Sequence, residues 1–286
     1  MTNNTNYLVY QAYGIEDVLN EAMISIASLY KVTSEADRPV IYIYTDNPGY
    51  LKGFLPSEVK CIETTKTVWE NWKGENSFVH RAKIKMLIDF SENHPGNILY
   101  CDTDTYFLKS PFQLYETIEC KECIMHTDEG TLSKSVNLVF QKLEVFLKSY
   151  TYKGSKISSE THMWNAGVLG FHSDDLSVLQ NVLLLADDLY SAYKKHVMEQ
   201  LAFSFYLGNK TRHSCETTIF HYWNFKEYRE TLKSFFQDNA NKDFETWTLG
   251  VNYILPMELI KEKQQFLMKP YWERKLLRFL GKGISF

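Results

Sequence analysis

Asn97-Ile98-Leu99-Tyr100-Cys101-Asp102-Thr103-Asp104-Thr105 reads as an apolar strand that stops on two acids. A near-continuous apolar run is the mark of a strand buried on both faces, as in a parallel sheet covered by helices. Ligands of open α/β sheets sit beyond the carboxyl ends of the strands, so residues leaving this strand are the first place to look for chemistry. Asp102 and Asp104, at i and i+2 in one turn, can face a common point, and hard oxygen ligands of this kind suit Mg²⁺ or Mn²⁺. Acids also end strands for conformational reasons alone, which leaves both readings open at this point.

The flanking sequence supports such a sheet. Residues 7–12 (YLVYQA) form a short apolar run before Gly14, and Val18, Leu19, Ala22, Ile26 and Leu29 then recur at helical spacing. Residues 40–44 (VIYIY) read as a strand closed by the turn sequence Thr45-Asp46-Asn47-Pro48-Gly49, with a weaker strand at 59–63 and a helix over 78–92. This alternation implies an open, largely parallel α/β sheet. Helices are expected further on over 112–116, 136–150, 176–193 and 197–207, with strands at 123–126, 166–171 and 219–222. No repeat or linker divides the chain. The expected organisation is a domain over 1–240 and a mostly helical extension over 241–286 packed on it.

With 44% hydrophobic and 23% charged residues in 286, the chain can bury a substantial core. A net charge of −4 argues against a general nucleic-acid binder. The charge is uneven: residues 269–286 carry +4 and the remainder −8. That tail mixes Tyr271, Trp272, Leu276, Leu277, Phe279 and Leu280 with five basic residues, a composition suited either to an anionic bilayer surface or to a terminal helix docked on the protein. No secretory signal or apolar stretch of membrane-spanning length is evident, and the five cysteines are an odd number; a cytoplasmic chain with reduced thiols is expected, peripheral on the membrane if the tail binds it. Cys120 and Cys123 form a C-x-x-C without the second ligand pair that a structural zinc requires.

Six stretches in order are similar to nucleotide-sugar glycosyltransferases of the GT-A (Rossmann-like) fold, most closely the retaining families. They are YLVYQAYG from Tyr7, HRAKIKML from His80, LYCDTDTYFLKSPFQLY from Leu99, WNAGVLGF from Trp164, MEQLA from Met198 and HYWNFK from His221. The resemblance spans roughly residues 7–230. It implies that Asp102, Asp104 and His221 bind Mn²⁺ or Mg²⁺, that the ion holds the diphosphate of a nucleotide-sugar, most simply a UDP-sugar, and that the acceptor is a glycan or a lipid-linked glycan. It places the donor over Ala12, Tyr13, Asp46, Thr103 and Gly167, with Tyr13 stacking on the base and Asp46 accepting its N–H. Asn165 would hydrogen-bond sugar hydroxyls, and Lys226 would help neutralise the departing diphosphate. Lys226 stands one place early in the family's His-x-x-Gly-x-x-Lys signature, and Asn224 replaces its glycine.

The helix over 78–92 carries a cation toward this site. At about 100° per residue, Ile84, Leu87 and Ile88 define its inner stripe; Arg81 lies about 60° from the centre of that stripe and Lys83 well outside it. A cation so placed wants an anion, and the resemblance supplies one for Arg81, the acids or the diphosphate. Inverting members carry a carboxylate base at the position held here by Gln200, after Glu199, which favours retention; the resemblance to retaining families sets the Gln200 amide beside the anomeric carbon and leaves Glu199 to orient the acceptor. Two other readings fit an Asp-x-Asp after a hydrophobic strand: a haloacid-dehalogenase-like phosphatase, with Asp174-Asp175 as its second acidic pair, and a nucleotide-sugar or glycan-binding protein without turnover.

Overall fold

The computed structural model describes residues 4–207, 210, 212–223 and 225–280. Its first half alternates as the sequence implies: β1 (Asn6–Gln11), α1 (Glu16–Val32), β2 (Val40–Thr45), α2 (Pro48–Lys52), β3 (Lys60–Glu63), α3 (Lys66–Lys73), α4 (Val79–Asn93) and β4 (Asn97–Cys101). Then come β5 (Thr105–Phe107), α5 (Phe112–Glu119), β6 (Cys123–Met125), β7 (Asp128–Thr131), α6 (Leu138–Ser149), β8 (His162–Trp164) and β9 (Val168–His172). The last third holds α7 (Leu176–Ala192), α8 (Met198–Leu207), β10 (Arg212–Ser214), β11 (Ile219–His221), α9 (Lys226–Asn239), α10 (Phe244–Gly250), α11 (Met257–Met268) and α12 (Tyr271–Phe279).

Seven strands form the central sheet in the order β10-β6-β9-β4-β1-β2-β3. Pairing is parallel from β3 through β4 and between β6 and β10, and antiparallel on both sides of β9. The architecture is the expected α/β type, a mostly parallel sheet flanked by helices. All five residues of β4 are buried, as their unbroken apolar run requires. Leu8, Ile43 and Leu99 join Leu19, Ala22 and Ile26 of α1 in one core cluster, while Val9, Ile98 and Tyr100 join α4, α7 and α8 in the other.

Three short elements missing from the sequence reading shape the cavity beyond β4. β5 pairs antiparallel with β11, with Thr105 opposite His221. That register carries His221 back to the acid turn from a distance of 117 residues. β7 pairs antiparallel with β8 and runs alongside Trp164. Strands of three or four residues fall below the length at which alternation can be read in a sequence.

Residues past 240 continue the same body. Trp247, Val251 and Ile254 are buried in the cluster that holds α1, and the Tyr106 and Tyr228 hydroxyls donate to the Val251 and Ile254 carbonyls. α12 differs: Trp272, Leu276, Phe279 and Leu280 are all at least half exposed. No helix among the described residues is long and apolar enough to cross a membrane.

Candidate metal and ligand site

Asp102 and Asp104 leave β4 in one turn, and each has an outer oxygen held by a cation. Lys83 Nζ lies 3.3 Å from Asp102 Oδ1, which also accepts the Tyr100 hydroxyl. Arg229 donates to Asp104 Oδ2 at 2.7 Å and pairs on its other side with Glu21 at 3.4 Å. The inner oxygens face His221. Nε2 of that ring lies 3.1 Å from Asp104 Oδ1 and 3.8 Å from Asp102 Oδ2, and one ligand atom from each of the three residues falls within 4.8 Å of the others.

The His221 ring is oriented from behind. Its Nδ1 meets Asn165 Oδ1 at 3.0 Å, and the same oxygen accepts the Gly167 N–H at 3.0 Å. With Nδ1 donating to Asn165, Nε2 is the nitrogen that faces the acids, where it donates to Asp104 when protonated and offers a lone pair to an ion when it is not. A Cβ on Gly167 would fall 2.1–2.8 Å from His221 ring atoms, so glycine is required at this position for the ring to lie where it does. Burial would raise the Asp104 carboxyl, but His221 and Arg229 outweigh it and hold Asp104 ionised below its usual range. Burial likewise works against protonated His221, and Asp104 overrides it, lifting the imidazole above its ordinary value. Two carboxylates and an imidazole are a suitable donor set for Mn²⁺ or Mg²⁺, and a bound ion would compete with the Nε2 proton. His126, edge-on to His221 with centroids 5.2 Å apart, is pushed down to about 3 by burial and stays neutral.

A cavity of about 560 Å³ opens on these residues. Asp102, Asp104, Gly167 and His221 line one part of it, and Glu129, Asn165, Glu199, Gln200 and Trp223 also reach it. Thr103 is buried within the acid turn.

Other expected site residues are placed differently. Arg81 points away: its guanidinium donates to Asp187 Oδ1 and to the Trp72 carbonyl, both at 2.7 Å. The cation in the site is Lys83, which also binds the Ala166 carbonyl at 3.0 Å and pairs with Glu199 at 3.0 Å. The helical-wheel reading failed because α4 is buried over most of its circumference, with α3 and α7 packed on it as well as the sheet, so it has no single inner stripe. Burial alone would depress the Lys83 ammonium, but Asp102 and Glu199 raise it above its ordinary value.

Ala12 is fully buried and its N–H is taken by the Tyr44 carbonyl. Tyr13 stacks on Trp69, and both oxygens of Asp46 accept the Gly14 N–H, holding a turn in which Gly14 has φ 94°. None of these three lines the cavity. The Lys226 side chain lies outside the described residues; Arg229, one turn further along α9, is the cation that reaches Asp104. Its signal is the apolar series Tyr228, Leu232 and Phe235, which turns that face of α9 inward. Gln200 donates from Nε2 to Glu129 Oε2, so a carboxylate does stand beside the position whose lack of one favoured retention. Nothing in Asp128-Glu129-Gly130-Thr131 marks it as a site from sequence.

Two remaining motifs lie outside the site. Cys120 follows the C-terminus of α5 and so has no helix N-terminus behind it, and burial pushes the Cys123 thiol up to about 12. Because β9 runs antiparallel to β4, Asp174 and Asp175 lie at the opposite end of the sheet from Asp102, paired with Lys121 and Lys210.

No protein-family model and no curated protein matches this sequence. Among solved structures, the chain is similar to the crystal structure of mouse xyloside xylosyltransferase 1 in its apo form. That match has 12% identity and a TM-score of 0.47, over 74% of this chain and 86% of that one.

Two outcomes follow from this geometry. Gly167→Ala is expected to displace the His221 ring and weaken Mn²⁺ binding tenfold or more by isothermal titration, with an unchanged far-UV spectrum. Lys83→Met leaves Glu199 and Asp102 without their shared partner and is expected to lower stability in urea by about 3–5 kcal/mol, of which Lys83→Met/Glu199→Leu recovers only the part due to Glu199.

Proposed function

We propose that this protein is a metal-dependent glycosyltransferase that moves a sugar from a nucleotide-diphosphate donor, a UDP-sugar, to a glycan or lipid-linked glycan. The observation that carries this reading is the division of labour among the carboxylate oxygens. Outer oxygens of Asp102 and Asp104 are neutralised by Lys83 and Arg229, while inner oxygens and His221 Nε2 converge beside a cavity. Three ligands from the protein leave a six-coordinate ion with positions for diphosphate oxygens. When bound, Mn²⁺ or Mg²⁺ supplies Lewis-acid stabilisation of the negative charge on the departing diphosphate.

The chain's own residues supply the rest. Asn165 fixes the His221 tautomer, and Gly167 lets the backbone approach that ring. The Asp102 N–H donates to the Gly167 carbonyl at 2.7 Å, tying the acid turn to the start of β9. Half-exposed Trp223 offers a ring face on the cavity wall for a sugar. A phosphatase of the haloacid-dehalogenase type is disfavoured, since its second acidic pair would have to come from Asp174-Asp175 at the wrong end of β4.

The site of action proposed is the inner face of a membrane. Trp272, Leu276 and Phe279 of α12 and Leu280 just after it recur at i, i+4, i+7 and i+8 and stay exposed, with Lys269, Arg274 and Lys275 near them. Such a stripe suits an anionic bilayer surface and would confine the enzyme to the plane of a lipid-linked acceptor.

Release of UDP from a panel of UDP-sugars in the presence of Mn²⁺ tests the activity. Asp104→Asn and Asp102→Asn are expected to abolish it while retaining the wild-type far-UV spectrum; turnover by Asp104→Asn at limiting Mn²⁺ equal to the wild type would refute the metal site. The proton on His221 competes with the ion, and its pKa is raised from the usual 6.5. Mn²⁺ affinity is therefore expected to be weakest below pH 6.5 and to climb as pH rises through the raised value. In co-sedimentation with anionic vesicles, salt-sensitive binding should disappear on removal of residues 269–286; equal recovery of both proteins in the supernatant refutes the membrane assignment.

A further inference from the structure

Resting on the transferase reading, we propose that Glu129 is the general base that takes the proton from the acceptor hydroxyl, so that transfer occurs by single displacement with inversion. Four carboxylates line the cavity: Asp102, Asp104, Glu129 and Glu199. Three of them carry cations, from Lys83, from Arg229 and His221, and from Lys83 again. Among the described residues, Glu129 has no ion pair; its partner is the uncharged amide of Gln200. That hydrogen bond occupies Oε2 and fixes the carboxylate without neutralising it. Burial raises the Glu129 carboxyl above its ordinary value, which makes the carboxylate a better proton acceptor.

The topology explains how Glu129 comes to stand there. β7 pairs with β8, β8 packs on α8, and the Trp164 N–H donates to Ser204 of α8 at 2.9 Å. Glu129 from β7 and Gln200 from α8 thus meet across β8, next to Asn165, whose N–H binds the Thr127 carbonyl at 2.9 Å. Of the three histidines that line the cavity, His80, His196 and His221, two are poorer bases. His221 belongs to the acid cluster, and His80 lies one turn from Lys83 on α4, so it would gain positive charge beside an ammonium.

In the step proposed, the acceptor oxygen bonds to the anomeric carbon as its proton passes to Glu129. The bond from that carbon to the diphosphate oxygen breaks, and its electron pair leaves with the nucleoside diphosphate. Glu129 returns the proton to water when the product departs. Gln200 acts as a positioning residue for Glu129.

Water serves as acceptor in the test, with UDP-α-D-glucose, UDP-α-D-galactose and UDP-α-D-N-acetylglucosamine as donors and Mn²⁺ present. Proton NMR at early times is expected to find the β-anomer of the free sugar first; first formation of the α-anomer overturns the proposal. Glu129→Gln should lower UDP release by about 100-fold or more with unchanged affinity for UDP and Mn²⁺. In Glu129→Ala, azide needs no base and should restore turnover as the β-glycosyl azide. Wild-type rates in either variant, or a loss that azide does not rescue, overturn the role of Glu129. No UDP release by the wild-type protein from any donor defeats the transferase reading itself, which keeps the two failures apart.

Discussion

Two carboxylates in one turn at the end of a buried strand repel each other and lose hydration, and neither can stay ionised there without positive charge close by. Most of what is distinctive about this structure answers that constraint. Lys83 arrives from α4, Arg229 from α9 and His221 from β11, each on a different side of the turn. The cations take the outer oxygens and the imidazole faces the inner ones. Elements that look incidental in isolation, such as the three-residue ribbon of β5 and β11, are what deliver these groups.

Buried ion pairs contribute little net stability, because desolvation offsets most of the Coulomb attraction. The Lys83–Glu199 pair is accordingly better understood as a device that fixes one arrangement of α4, α8 and the acid turn. Lys83 reaches the Ala166 carbonyl, Asp102 and Glu199 together, so a shift of any of these segments would strand a charge. Glu21 extends the same logic outward. Buried beside Arg229, it is pushed up to about 7, close to the point where its own charge becomes optional.

What could be read from the sequence was whatever is local. β4 and its two acids announce themselves because burial on both faces and a turn leave a continuous pattern over nine residues. His221 was accessible only through the order of distant motifs, since a single histidine has no pattern of its own. A helical wheel favours Arg81 over Lys83 because it assumes one buried face, and α4 has several. The motif order points to Lys226, whereas the apolar face of α9 is what brings Arg229 to Asp104. Glu129 was invisible: a four-residue strand of mostly polar residues owes its position to β8, and that contact is tertiary. The loop of Ala12, Tyr13 and Asp46 was recognised as a turn, but its groups are spent on Tyr44, Trp69 and Gly14, distances that no local pattern encodes.

The separation in sequence between the acids and their counterions also sets an order of events during synthesis. His221 and Arg229 follow Asp104 by 117 and 125 residues. At about 5–20 residues per second, a ribosome needs on the order of ten seconds to make that stretch. Throughout that interval Lys83 is the one cation of the three already made, and the acid turn cannot close into its final dry environment. The Val251 and Ile254 carbonyls that receive Tyr106 and Tyr228 are made later still. The nascent chain must therefore hold a half-built sheet whose acid end stays hydrated and unfinished until residues 221–254 have been made, and the parallel core waits for its lock.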